Sequence, residues 1–316
     1  MIGGPQTYLT AVTVLEVIQR STAFLTKKGV ESPRLQAELL LAHLLGLPRM
    51  QLYLNFERQL TTPEQDRLRQ MIKRRGDREP LQHIVGTTSF CGLEIQVSGA
   101  ALIPRPETEL LAEHGWIFLN QVAERTTKST SPSPPQNNTS APQGTAPAAL
   151  DFGTGTGCLA IALSVKCQAA RLVALDVDPQ ALKLAQQNAA RHGVSQRIEF
   201  IGGDGLSALP KGVSFDLILA NPPYIPSHEI ATLEPEVRDH DPRRALDGGA
   251  DGLDFFRSLA SQAKPLLKPE GKMMLEFGDG QAEPLQKLFV SENWIVEPIV
   301  SDYTQRPRIL IAHQRT

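Results

Sequence analysis

Three glycines fall within five residues at Gly153-Thr154-Gly155-Thr156-Gly157, between the apolar run Ala148 to Phe152 and the helix-forming run Cys158 to Val165. Glycine lets the backbone turn sharply and approach a ligand closely, and the helix that follows presents unpaired N–H groups at its start. This strand–turn–helix opens an alternation that a doubly wound parallel α/β sheet requires. A second strand, Arg171 to Leu175, ends in Asp176, about twenty residues beyond the glycines, where a carboxylate can accept both hydroxyls of a ribose. A third, Arg197 to Ile201, runs into Gly203-Asp204-Gly205. The fourth, Ser214 to Ala220, delivers Asn221. All four strand ends are expected to face one crevice.

The fourth strand exits through Asn221-Pro222-Pro223-Tyr224. Two prolines remove two backbone donors and hold φ near −65°, so the chain leaves the sheet along one rigid path. The Asn amide and the Tyr ring beside it suit a planar group that carries an NH2. Turn formation alone explains an isolated Asn-Pro, but it explains this four-residue exit poorly.

The chain has 316 residues, 41% hydrophobic and 21% charged, enough for a large core and more than one domain. Lys and Arg number 32 against 34 Asp and Glu, so no global basic field favours nucleic acid. Three cysteines without CxxC spacing suggest neither a disulfide framework nor zinc, and a reducing cytoplasm fits. The seven histidines show no clustered spacing, so no metal is expected. Neither a signal peptide nor a membrane span is read.

Residues 8 to 78 read as a small helical bundle suited to docking a partner. Thr13 and Glu16 have capping-box spacing, and that helix ends near Gly29. Ser32 and Pro33 start a second helix that Gly46 stops, and Pro48 starts a third. Thr62 is expected to cap a fourth that runs to Gly76. The cluster Lys73, Arg74, Arg75 and Arg78 is either a solvated helix end or a contact for an acidic partner. Residues 82 to 98 alternate as a β-hairpin would, with Gly86 and Gly92 as punctuation. This divides the chain into a docking domain over 1–80, a hairpin linker over 81–98 and an enzymatic domain over 99–316. Glu107 to Val122 reads as a helix. From 126 to 147 the composition falls to Ser, Thr, Pro, Asn, Gln and Ala, and a disordered insertion is expected.

Gly155-Thr156-Gly157-Cys158-Leu159-Ala160 also satisfies a dinucleotide fingerprint, so a nicotinamide oxidoreductase competes until the fourth strand is considered. A dehydrogenase has no evident use for Asn-Pro-Pro-Tyr at that edge. With that tetrapeptide, Leu102 to Glu109, Asp151 to Gly157 and Leu233 through Leu253 in view, the chain resembles the class I S-adenosylmethionine-dependent methyltransferases that modify amide or amino nitrogen. More narrowly, it is similar to the HemK/PrmC-type peptide chain release factor glutamine methyltransferases, over nearly its whole length.

The resemblance implies a mostly parallel sheet with a C-terminal antiparallel strand. It implies that Gly153, Thr154, Gly155, Thr156, Gly157, Asp176, Asp204, Gly205 and Asn221 bind S-adenosylmethionine. Asn221, Pro222, Pro223 and Tyr224 would hold a glutamine of a class I release factor, with Asn221, Pro222 and Tyr224 catalytic. Two departures stand out. Gly205 replaces the aromatic residue of some relatives, and the glycine usual near the final arginine is missing from Asp302 to Arg308. Arg105 and Glu107 either start a helix and pair locally or form a lid. A ribosomal glutamine and an adenine N6 in DNA are rival acceptors, the latter needing base flipping and a phosphate grip that no segment here supplies. Neither nucleic acid nor a membrane is required.

Overall fold

The computed structural model describes residues 12–129 and 146–315, which form two compact units. The first comprises residues up to Gly86 together with Glu234–His240. Its first helix, α1 (Val14–Lys27), starts on a reciprocal capping box: Glu16 N donates to Thr13 Oγ1 at 3.3 Å and Thr13 N to Glu16 Oε2 at 2.9 Å. The second, α2 (Pro33–Leu45), has Pro33 in its first turn and closes at Gly46 with φ +63°. Ser32, expected to cap it, lies in the left-handed region at φ +46° and makes no side-chain cap bond. Then come α3 (Arg49–Tyr53), α4 (Thr62–Gly76) and α5 (Leu81–Val85). The cap of α4 is Thr61, one residue before the expected Thr62, because only Thr61 has a glutamate three residues on: Thr61 N donates to Glu64 Oε2 at 2.8 Å.

Leu25, Leu40, Leu41 and Leu52 are the buried centre of this unit. The late segment adds α9 (Pro235–Arg238), and it answers the basic cluster. Arg75 Nη2 reaches Glu236 Oε1 at 2.8 Å, Arg78 Nη2 reaches Glu236 Oε2 at 2.6 Å and Glu234 Oε2 at 2.9 Å, and Arg74 pairs with Glu79. The acidic partner of these arginines lies in the chain itself.

The second unit opens with a hairpin, β1 (Thr87–Phe90) and β2 (Leu93–Gln96), in register Phe90↔Leu93. Its two-residue turn has Cys91 at φ +51° and Gly92 at φ +76°, the handedness that matches strand twist. The hairpin is shorter than the expected 82–98, because 82–85 belong to α5 and Gly86 ends that helix in a left-handed conformation. Next is α6 (Pro106–Ser129), which continues past the expected Val122. Residues 126–129 of the expected disordered stretch are therefore helical, and 130–145 lie outside the described residues.

Then follow β3 (Ala148–Phe152), α7 (Cys158–Lys166), β4 (Arg171–Asp176), α8 (Pro179–Arg191), β5 (Ile198–Gly202) and β6 (Phe215–Ala220). The chain ends with α10 (Asp254–Gln262), β7 (Leu267–Glu276), α11 (Ala282–Ser291), β8 (Trp294–Val296), β9 (Val300–Ser301) and β10 (Pro307–Gln314). The sheet order is β5-β4-β3-β6-β7-β10-β8, with β9 on β10. Strands β5 through β7 are parallel, and β10 is antiparallel to β7, β8 and β9. This is the expected mostly parallel α/β sheet with an antiparallel C-terminal strand.

Strands β3, β4, β6, β7 and β10 each feed two cores because successive side chains point to opposite faces. In β6, Leu217 and Leu219 join the face that α6 and α7 cover, while Ile218 and Ala220 join the face of α10 and α11. From β3 the chain builds outward to β5 and then returns to β6 on the other side. That reversal leaves a crevice at the carboxyl ends of β3 and β6, where ligands of such sheets bind.

Candidate active site

The glycine turn is tied down from beneath by a buried carboxyl. Asp151, 1% exposed, accepts from Thr154 Oγ1 at 2.6 Å and from Ala160 N at 3.1 Å, which joins the turn to α7. Burial pushes this carboxyl up to about 6, against the pull of those two bonds, and the nearby Asp176 adds to the rise. At the end of β4, Asp176 accepts from Gly155 N at 2.8 Å and from Asp178 N at 2.9 Å. Its two oxygens keep spare lone pairs toward the crevice.

A cavity of about 310 Å³ occupies this edge of the second unit. Gly153, Thr154, Gly155, Thr156, Asp176, Asp204, Gly205 and Asn221 all line it. Gly157 does not. It caps α7 at φ +80°, and a Cβ there would lie 2.9 Å from the Cβ of Ala185, so its place is helix packing between α7 and α8. Pro222, Pro223 and Tyr224 follow Asn221 and are not among the residues that line this cavity; Pro222 is buried and the other two are half-buried.

Register explains how Asn221 comes to the edge. Ala220 is paired with Phe152 of β3 and Leu275 of β7, so the next residue leaves the sheet between Gly153 and Glu276. The exit is braced beyond it: Ile225 N donates to Leu246 O at 3.0 Å, Gly248 N to Ile225 O at 2.9 Å, and Gln281 Nε2 to Tyr224 O at 2.9 Å. Burial pushes the Tyr224 hydroxyl up to about 12, with Glu276 adding to the rise and Arg308 and Arg105 opposing it. The Asn221 amide nitrogen donates to Thr108 Oγ1 at 3.0 Å, from the start of α6.

Arg105 lines the cavity and pairs with Asp241 at 2.7 Å, a partner far along the chain rather than the local one considered from the sequence. Glu107 is not among the lining residues. The segment that lacks the expected glycine turns with Gln305 at φ +66°. Asp302 makes this tolerable by accepting from Thr304 N at 2.8 Å, Thr304 Oγ1 at 2.6 Å, Arg306 N at 3.0 Å and Arg308 Nε at 3.2 Å. Bonds from Thr304 and Arg306, together with Arg308, hold the Asp302 carboxyl well below the usual carboxylate range.

A family profile described as "PrmC N-terminal domain" matches residues 16–86, and one described as "Methyltransferase small domain" matches residues 139–235. The release factor glutamine methyltransferase of Geobacter sulfurreducens is 41% identical over 277 residues, 88% of this chain and 88% of its own. That of Chlorobaculum tepidum is 42% identical over 275 residues, 86% of this chain and 87% of its own. That of Rhodospirillum rubrum is 38% identical over 314 residues, 99% of this chain and 89% of its own. The chain belongs to the release factor glutamine methyltransferase family.

Members of this family draw their methyl group from S-adenosylmethionine, and the residues present fit it. A Cβ added at Gly153 or at Gly205 would meet no protein atom within 4 Å, so the backbone there faces space that a ligand can fill. Asp176 lines the same cavity at the end of β4, where a carboxylate can accept from ribose hydroxyls. Gly205 brings no ring to it, but Phe255 at the start of α10 also lines the cavity. Among the described residues no group of His, Cys, Asp and Glu is arranged to hold a metal, and no helix is long and apolar enough to cross a membrane.

Two buried residues beside Asn221 were not singled out from the sequence. Thr108 lies within the quoted segment Leu102 to Glu109, masked there by its charged neighbours. Glu276 ends the apolar run Met273-Met274-Leu275, the same signature that marks Asp176. It is 3% exposed, and burial pushes its carboxyl up to about 7; the side chains of Thr108 and Asn221 and the charge of Arg308 oppose the rise, while Glu107 adds to it.

Proposed function

We propose that this chain transfers a methyl group to the side-chain amide nitrogen of a glutamine, the one in the Gly-Gly-Gln loop of class I peptide chain release factors. The observation that carries the reading is that Asn221 lines the same cavity as the glycine turn and Asp176. One group in that cavity is thus matched to an amide and the rest to a nucleoside. S-adenosylmethionine, held by Gly153 to Thr156, Asp176, Asp204 and Gly205, supplies an electrophilic sulfonium methyl.

A carboxamide nitrogen is a weak nucleophile because its lone pair is delocalised into the carbonyl. The Asn221 oxygen and the Pro222 carbonyl accept its two N–H bonds and so hold the nitrogen in place. Orientation of this kind is worth about 7–11 kcal/mol in favourable cases. The same acceptors stabilise the positive charge that grows on nitrogen, so their effect is largest in the transition state. Tyr224 packs against the amide plane, its hydroxyl neutral. No charged base is needed before transfer: as the N–CH3 bond forms the S–CH3 bond would break, with the neutral thioether of the spent cofactor as leaving group, and the nitrogen would then give up one of its two protons to solvent. The release factor would dock on the helical unit, and the setting would be cytoplasmic, in keeping with three free cysteines.

The test is to incubate the protein with labelled S-adenosylmethionine and, separately, a class I release factor, a ribosomal protein fraction and duplex DNA. Label on the glutamine of the Gly-Gly-Gln loop is expected. Label confined to DNA or to a ribosomal protein overturns the reading. Asn221→Ala should lower the rate about 100-fold or more while cofactor affinity stays within a few fold. Equal losses of both would move Asn221 to a purely structural or cofactor role.

A further inference from the structure

We infer that Thr108 and Glu276 are positioning residues for Asn221, fixing its amide with the nitrogen turned into the protein and the oxygen toward the cavity. This deepens the proposed function, since it specifies how the acceptor of the substrate NH2 is made to face the right way. An asparagine amide has nearly the same shape in its two flipped orientations, so only its neighbours decide which end faces a ligand. Here the decision is made on the protein side. Asn221 Nδ2 donates to Thr108 Oγ1 at 3.0 Å. Having accepted that bond, the Thr108 hydroxyl has its single proton to give, and the Glu276 carboxyl faces both Thr108 and Asn221.

Both positioning groups are 3% exposed, so water does not compete with them. An ionised carboxylate only accepts, so a flipped Asn221 would aim its oxygen at the Glu276 carboxylate and at a Thr108 hydroxyl whose proton is already given to that carboxylate. Among the described residues the Oε2 of Glu276 has no hydrogen-bond partner, which leaves that oxygen open toward Thr108 and Asn221. Protonation of Glu276 changes the pattern: the carboxyl then donates, and the preference for one amide orientation weakens. The charged or titratable groups that face it are Glu107 from α6, Arg308 from β10 and Tyr224 beyond β6. Arg308 is held by Asp279 and Asp302, and the Tyr224 hydroxyl, pushed up to about 12, stays neutral through the working range.

Selective 15N-asparagine labelling reads the orientation without any substrate. The Asn221 side-chain NH2 resonances, assigned by their loss in Asn221→Ala, should titrate with a midpoint near 7 in the unmodified protein. They should stop titrating in Glu276→Gln, shift in Thr108→Val, and still titrate in Glu107→Gln. Turnover on the release factor should fall about 10- to 100-fold in Glu276→Gln and Thr108→Val, as expected for a reacting group set out of line, with cofactor affinity unchanged within twofold. Thr108→Ser, which keeps the hydroxyl, should recover most of the rate. Asn221 resonances indifferent to pH and to Glu276→Gln would overturn the inference, as would unchanged turnover in folded variants or parallel loss of turnover and cofactor affinity. Should the unmodified protein methylate no glutamine, the proposed function falls, and the resonances still decide the orientation.

Discussion

Two buried carboxyls set how this molecule responds to pH. Asp151 is raised to about 6 and Glu276 to about 7, both chiefly by burial, whereas in an unfolded chain such groups titrate near 4. The folded state therefore holds these protons more tightly. Their contribution to stability is full below about pH 4 and is lost as pH rises through 6 and 7, so from pH 5 to pH 8 the protein should lose on the order of 4 kcal/mol on their account. Urea melts across that range check it, and Glu276→Gln should remove the part of the slope near pH 7. A flat profile would mean that neither carboxyl is desolvated. Asp176 and Asn221 were legible because each polar residue ends an apolar run, and Asp204 because it lies between glycines just past a strand. Glu276 has the same signature, but its importance lies in the β6–β7 register that sets it beside Asn221, and register between distant strands is not written in either strand alone.

At the scale of elements, local chemistry was a good guide where one residue decides the outcome. Gly46 after α2 and the glycines around β3 follow from conformational freedom alone. Rules failed by a residue where two neighbours could serve, as with Thr61 and Thr62, and reciprocal bonding to Glu64 chose between them. The antiparallel β8–β10 region could be anticipated only by resemblance, since β8 and β9 have three and two residues and carry no periodicity. Gly157 is where sequence and structure assign different work. As part of the glycine turn it is expected to hold the cofactor, yet it faces Ala185 of α8. Gly157→Ala should therefore destabilise the fold by about 1–3 kcal/mol, from a left-handed non-glycine residue and a Cβ 2.9 Å from its neighbour. Cofactor affinity at a temperature where the variant is folded should change little. A large loss of affinity without loss of stability would return Gly157 to the binding site.

The first unit takes in a piece of chain from far away, Glu234–His240, and its stability should depend on that piece unevenly. Glu236 serves two arginines, whereas Arg78 also reaches Glu234 and Arg75 also reaches Gln36. Arg75 is the most enclosed of the three, its side chain 5% exposed against 19% for Glu236 and 22% for Arg78. Removing the carboxylate strands a buried guanidinium, which typically costs about 3–5 kcal/mol, while Arg75→Met leaves Glu236 paired with Arg78 and replaces a buried charge by an apolar chain of similar reach. Glu236→Leu should thus be clearly the more damaging of the two, and the double variant should recover part of the loss. The pH dependence has the sign opposite to that of Glu276. Burial pushes the Glu236 carboxyl up, but bonds from Arg78 and Arg75 bring it below its ordinary value, so its contribution is present above the unfolded pKa and disappears as pH falls through the folded one. Both tryptophans, Trp116 and Trp294, lie in the second unit, so fluorescence does not report on the first. Hydrogen exchange of the α4 amides does. Equal acceleration of exchange in Arg75→Met and Glu236→Leu would show that the two charges matter only as a pair and that the sharing of Glu236 between arginines is energetically idle.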